Sequence, residues 1–309
     1  MFKCIMIILP ILTIGFNNNL LVTKSKLNTL KLYVSKTMDD NSAINLEKTL
    51  LKLQRTNLNT LKLDQHESAK SILSQKNIFA ILSCINKLNY PDIYYTPLII
   101  NKIGIPIITI PNNCVLNERL KINKNVSLNV KEVTLFESYV DKQVLLKGCL
   151  EQVKNTTILN KYYQLFDSQH NNLFYGKEFS NNNFYILKKI HEISYIDGMN
   201  YNKKRFQIDH YYNSKVDPIY QISNQIFYEI LYKYEFIMNT FKIYLEKKID
   251  LIQYRDYNQL HFKSIDGYGI NLQISVNNMF LYVKLPFRKK INSINLLIDE
   301  IKYLFFIYK

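Results

Sequence analysis

The chain has 309 residues, with 40 Lys and Arg against 25 Asp and Glu, a formal net charge of +15, and an abundance of Asn, Lys, Ile and Tyr. Nine of the cations and three of the anions fall in residues 1–63, leaving +9 spread over the remainder. A diffuse excess of this kind attracts polyanions without building a site, and no RNA-binding signature accompanies it, which argues against specific nucleic-acid recognition.

Residues 5–14 form an apolar run behind Lys3. The run is too short for a bilayer, which needs about 20 helical residues, and it has the length of a signal-peptide core. Residues 17–37 carry Lys24, Lys26, Lys31 and Lys36 among Ser and Thr with no acidic residue, the composition of a transit peptide. The sequence therefore predicts a signal peptide at 1–22 and a transit or low-order leader at 23–63. Together they would deliver the chain to a plastid bounded by extra membranes, of the apicoplast kind. The secretory pathway is the alternative, and a buried N-terminal strand or helix is the other reading of the apolar run. The mature chain holds no predicted transmembrane segment.

A helix is predicted from near His66, with Ala69, Ile72 and Leu73 on one face. Short strands follow at 78–83, 94–100, 105–110, 126–130 and 144–153, with Pro91 and Pro97 at edge or turn positions. Such spacing suggests a barrel. Asp217-Pro218 closes this part, because proline disfavours helical backbone in the residue before it. Ile226 to Leu245 then repeats at helical spacing, so a domain boundary is placed at 219, giving domains at 64–219 and 220–309. A strand at 260–265, an Asp266-Gly267 turn, strands at 272–276 and 280–285, and an amphipathic helix from Ile294 to Phe305 complete the chain. The turn is assigned on the tolerance of Gly267 and Gly269 for positive φ. Asn125-Val126-Ser127 and Asn155-Thr156-Thr157 match glycosylation acceptors, but they are read as lying within strands or at their ends.

Ile265-Asp266-Gly267-Tyr268-Gly269, with Lys284-Leu285-Pro286-Phe287 and the closing helix, resembles the small α/β module called DUF2470. That module follows a flavin-type split barrel in bacterial HugZ-like haem proteins and in plastid glutamyl-tRNA reductase-binding proteins. Upstream landmarks resemble the same family in order: Ala69-Lys70-Ser71-Ile72-Leu73, Ala80-Ile81-Leu82-Ser83, Asn89-Tyr90-Pro91, Gly104-Ile105-Pro106, Val126-Ser127-Leu128, Leu146-Lys147-Gly148, Ile196-Asp197-Gly198 and Asp217-Pro218-Ile219. The resemblance implies an α+β protein: a split β-barrel of the FMN-binding, pyridoxamine 5'-phosphate oxidase-like type, followed by the DUF2470-like domain. It also implies a homodimer with a haem or FMN pocket at the dimer interface.

For flavin phosphate the resemblance points to Arg119, Lys121 and Ser127, although the family's own ligand positions are occupied here by Leu116-Asn117 and Asn125. For haem it points to His191 and His210 flanking the 195–199 element, with Arg205 facing a carboxylate or phosphate at the barrel mouth. The family's C-terminal histidine and its polar run on the first helix of the module are both missing. Phosphate loop, nucleophile elbow and HExxH signatures are absent. Cys84, Cys114 and Cys149 are isolated, so neither a metal cluster nor a disulfide framework follows, and no metal is assigned. The expected function is a binding or regulatory protein connected with tetrapyrrole, or with a tetrapyrrole-pathway enzyme as partner. The alternative is a flavin-dependent oxidoreductase or haem-degrading enzyme.

Overall fold

The structure is a computed structural model and describes residues 61–86, 88–134, 141–170, 181–197, 202–223, 259–276 and 279–307, together with Ile226, Asn239 and Ile243. The leader and most of the helix expected at 226–245 lie outside the described residues.

Helix α1 (Gln65–Leu73) starts where Asp64 accepts a hydrogen bond from the Glu67 amide at 2.7 Å, an N-cap that satisfies one orphan donor of the first turn. It buries Ala69, Ile72 and Leu73 against a barrel of six antiparallel strands: β1 (Phe79–Ile85), β2 (Pro91–Ile100), β3 (Pro106–Pro111), β4 (Asn125–Lys131), β5 (Gln143–Gln152) and β6 (Asn182–Asp197). The sheet runs β3-β2-β1-β4-β5-β6, and pairing of β3 with β6, Ile107 opposite Ile186, closes it. Strict alternation turns Ala80, Leu82, Leu128, Val130, Val144 and Leu146 inward to a sealed core. β7 (Asn202–Phe206) continues from the far half of β6.

The sequence predicts no helix at 116–122 or at 156–169, where the structure has one each. α2 (Leu116–Ile122) precedes β4, and α3 (Thr156–Gln169) follows β5. Asn155, expected at a strand end, is the N-cap of α3, and its side chain accepts from the Ile158 amide at 3.1 Å. α3 packs Phe166 against the outward-facing Ile99, Ile107 and Phe184, a second core on the barrel's outside. As expected of a residue before proline, Asp217 keeps extended backbone ahead of Pro218. Pro218 opens the short helix α5 (Pro218–Gln221), where its missing N–H costs nothing, after α4 (Ile208–Asn213).

The C-terminal part is a three-stranded sheet, β8 (Gln259–Asp266), β9 (Gly269–Val276) and β10 (Met279–Pro286), followed by α6 (Ile294–Ile307). Neither Gly267 nor Gly269 takes the left-handed backbone expected of the turn. Close approach explains them instead: a Cβ would lie 2.6 Å from the Asp217 carboxylate at Gly267 and 2.3 Å from the Leu285 carbonyl at Gly269.

Sheet and barrel share a polar seam. Asp217 caps α5 through the Ile219 and Tyr220 amides and also accepts from Gly267 N–H at 3.0 Å. Burial raises its carboxyl above the usual range, and these donors only partly offset that. A register shift in β8 makes Lys263 the extra residue of a bulge between Phe262 and Ser264, and its buried ammonium lies 3.0 Å from Asp141 Oδ1. Tyr220 donates to Glu132 in the same seam.

Candidate functional site

The outer faces of β4 to β7 carry a cluster of charged and polar side chains. In β6 the sequence Leu187-Lys188-Lys189-Ile190-His191-Glu192-Ile193 turns Leu187, Ile190 and Ile193 inward, and β5 pairs with it through two register shifts. Lys147 faces Glu192 and Gly148 faces Ile190, so His191 is the extra residue of one bulge; Lys188 is the extra residue of the other. Each bulge puts two consecutive side chains on the outer face, Lys188 with Lys189 and His191 with Glu192.

Gly148 makes this possible. A Cβ there would meet the Lys189 carbonyl at 2.2 Å, closer than any side-chain carbon tolerates. Beside it on β5, the Cys149 thiol donates to Asn125 Oδ1 at 2.8 Å and stands 3.5 Å from His191 Nε2.

Glu192 is the hub of a cationic cluster. Its carboxylate lies 3.3 Å from Lys147, 3.1 Å from Lys203 and 3.5 Å from Arg205, and it accepts from Ser194 Oγ at 3.0 Å. The hydrogen bond from Lys203 is the main cause holding its pKa down at about 2. The folded value is below the unfolded one, so its stabilisation is complete above about 4.5 and is lost as pH falls toward about 2. At the sheet surface, solvent screening leaves about 1 kcal/mol. Glu192→Gln should therefore lower the unfolding free energy measured with urea at neutral pH by that much, with the difference vanishing near the acid end. A difference that stays constant with pH would refute the network.

Cross-strand rows extend the site toward β1 and β2. One row runs Ile93, Ser83, Ser127, Lys147, Glu192, and the next runs Tyr95, Ile81, Asn129, Leu145, Ser194, Arg205. The face thus grades from apolar to cationic. Unlike the region under α3, its apolar end is open, with Ile93 63% and Tyr95 77% exposed.

The structure places His191 next to Glu192, whose carboxylate Arg205 approaches at 3.5 Å, while His191 itself contacts Cys149. His210 is not brought to them. Arg205 points outward and Phe206 to the opposite side of β7, where His66 packs at 4.5 Å from Phe206 and 5.4 Å from His210. Arg205 is 72% exposed, and its guanidinium is shared with Glu192.

The flavin-phosphate trio is not assembled either. Arg119 pairs with Asp92 at 3.5 Å and Lys121 with Glu118 at 2.7 Å, while Ser127 lies on the outer face between Ser83 and Lys147. A phosphate dianion would have to displace both carboxylates, so these residues do not fit FMN.

The remaining histidines are structural. Burial lowers the pKa of His170, whose Nε2–H donates to the Leu98 carbonyl at 2.9 Å, and burial likewise lowers His261. Among the described residues no group of three or more His, Cys, Asp and Glu side chains could hold a metal ion, and no helix is long and apolar enough to cross a membrane. The sequence reading missed Lys147, Cys149, Lys188, Lys189, Glu192 and Lys203. The three-residue spacing of Leu187, Ile190 and Ile193 in a β context was the signal available for them.

No protein-family model matches the chain, and neither does any curated protein. Solved structures do resemble it. A haem-binding protein from Mycobacterium smegmatis is 13% identical with a TM-score of 0.52, over 80% of this chain and 98% of its own. A protein of unknown function from Agrobacterium tumefaciens is 11% identical with a TM-score of 0.42, over 80% and 97%. A protein of the pyridoxinephosphate oxidase family from Clostridium acetobutylicum is 15% identical with a TM-score of 0.34, over 47% and 94%. At these identities the first likeness establishes architecture, and the chain has the α+β split-barrel fold.

Proposed function

We propose that the chain is a dimeric split-barrel binding protein for a planar, anionic tetrapyrrole of the haem type. The carrying observation is the pair of β6 bulges, which turn His191 outward beside a cationic cluster at one end of an amphipathic sheet face. An imidazole is the commonest axial ligand of haem iron, and Arg and Lys suit its carboxylates. His191 would hold the iron, and Lys189, Lys203 and Arg205 would meet the carboxylates. The apolar rows of Phe79, Ile81, Ile93 and Tyr95 would be covered by a second copy of the chain. The haem-binding Mycobacterium smegmatis protein of similar fold supports this reading. The compartment would be the plastid suggested by the composition of residues 1–63, with a tetrapyrrole-pathway enzyme as the partner class.

The test is a spectroscopic haem titration of the full chain with light scattering on the same samples. A saturable complex of a dimer is expected, and its Soret position should change in His191→Ala. Arg205→Ala should weaken binding only a few-fold, because its guanidinium is exposed and shared with Glu192. A monomer without haem affinity, or stoichiometric FMN on the isolated protein, would overturn the reading. Turnover of the haem complex with a reductant would favour a haem-degrading enzyme instead.

A further inference from the structure

A second site lies away from this face and shares no residue with it. Between the end of α1, the β2–β3 turn, α3 and α5 is an open cleft of about 510 Å³, with Ile100, Ile103, Tyr162, Leu165 and Val216 among its lining and Lys102 and Lys161 beside them. Its walls are pinned. Asn101 Oδ1 accepts from the Ile103 and Ile105 amides at 3.1 and 2.9 Å, which fixes the turn that carries Lys102. Gly104 follows with φ +96, and its carbonyl accepts from the buried Tyr211 hydroxyl at 2.6 Å. Next to the lining residues Ser74 and Val216, Lys70 donates to the Tyr212 and Ser214 carbonyls at 2.7 and 2.9 Å, and the Asp217 amide donates to Ser71 Oγ at 2.8 Å. A cleft held this way loses little conformational freedom when it is filled.

Its chemistry is complementary to one kind of ligand. The lining is mostly apolar, and Ile103 is left 55% exposed at the rim. Among the described residues, Lys102 and Lys161 have no carboxylate partner and the Tyr162 hydroxyl has no hydrogen-bond partner. Gln169, also in the wall, keeps its side-chain oxygen shielded from water and without a partner. Two unpaired ammonium groups and a phenolic donor above an apolar floor suit an anionic head on an apolar body. We propose that the cleft binds a small amphipathic carboxylate, with Lys102 and Lys161 on the head and Ile100, Leu165 and Val216 against the tail.

The experiment is calorimetric titration of the full chain with decanoate below micelle formation. One site per chain is expected, and Lys102→Gln combined with Lys161→Gln should weaken it about tenfold, as loss of charge-assisted hydrogen bonds implies. Both lysines are exposed, so the double variant retains its fold. Decanol, which has the same tail without the charge, should bind wild type and double variant alike, and His191→Ala should leave decanoate binding unchanged. Absence of decanoate binding, equal affinity in the double variant, or loss in His191→Ala would each overturn the proposal, the last by assigning the binding to the outer sheet face.

Discussion

Lys284→Met is expected to destabilise the protein by about 3–5 kcal/mol, the cost of leaving a buried charge without its partner. Lys284 and Asp266 are both almost fully buried, with the ammonium 2.5 Å from Asp266 Oδ2. Burial, the largest single influence, would raise the Asp266 carboxyl, but the charges of Lys284 and Lys142 together with the hydrogen bonds from Lys284 and Asn271 outweigh it and hold the group below its ordinary value. Asn271 and the Tyr268 amide complete its hydrogen bonds at 3.1 and 2.8 Å. Because the folded pKa is depressed, the stabilisation is fully present above the unfolded carboxylate value of about 3.9 and is lost as pH falls through the folded one. Removing the lysine leaves the burial, so the variant's acid transition should move to higher pH. Asp266→Asn in the Lys284→Met background should recover part of the loss, since the uncompensated charge is then gone. Urea unfolding measures all three, and a loss under about 1 kcal/mol for the single variant would show that the pair contributes as a surface bridge does.

Gly148→Ala is expected to cost about 1–3 kcal/mol by forcing two barrel strands apart, and to shift the chemistry of His191 with it. The added carbon would press on the Lys189 backbone at 2.2 Å and on the Leu187 side chain at 3.1 Å, and neither is the flexible end of a long chain. The only relief is movement of β6 at its bulges, which displaces His191 and Glu192. This variant should therefore lower both the thermal midpoint and the imidazole's ligand affinity, whereas His191→Ala should lower the affinity alone. Heteronuclear NMR of the His191 ring reads the displacement directly. An alanine variant with wild-type stability and an unshifted ring would show that the bulge does not depend on glycine.

The barrel was legible in the sequence because β1, β4 and β5 obey simple alternation: Ala80, Leu82 and Cys84 inside, Phe79, Ile81 and Ser83 outside. The β9–β10 hairpin and α6 were legible by the same periodicities, two and near four. α3 was not, because Tyr162, Tyr163 and Leu165 read equally as strand residues and the capping role of Asn155 was masked by its likeness to a glycosylation acceptor. The site was read only in part. His191 and Arg205 stood out as residue types. The bulges that set His191 and Glu192 on one face replace period two by period three, a pattern that resembles a broken helix when no partner strand is known.

The bulge at Lys263 bears on how portable the two halves of the chain are. Asp141 belongs to the barrel and is wholly sealed, yet a buried cation answering it arrives from β8, more than a hundred residues later. Asp217 likewise spends one carboxylate oxygen on the α5 cap and the other on Gly267. Severing the chain at residue 219 would take the buried Lys263 away from Asp141 and leave it the part-exposed Lys131 at 3.3 Å, so a barrel ending there should be less stable than the same barrel in the full chain. The boundary that helical spacing draws at that residue is crossed by the Lys263–Asp141 and Gly267–Asp217 contacts, which tie the C-terminal sheet to the barrel.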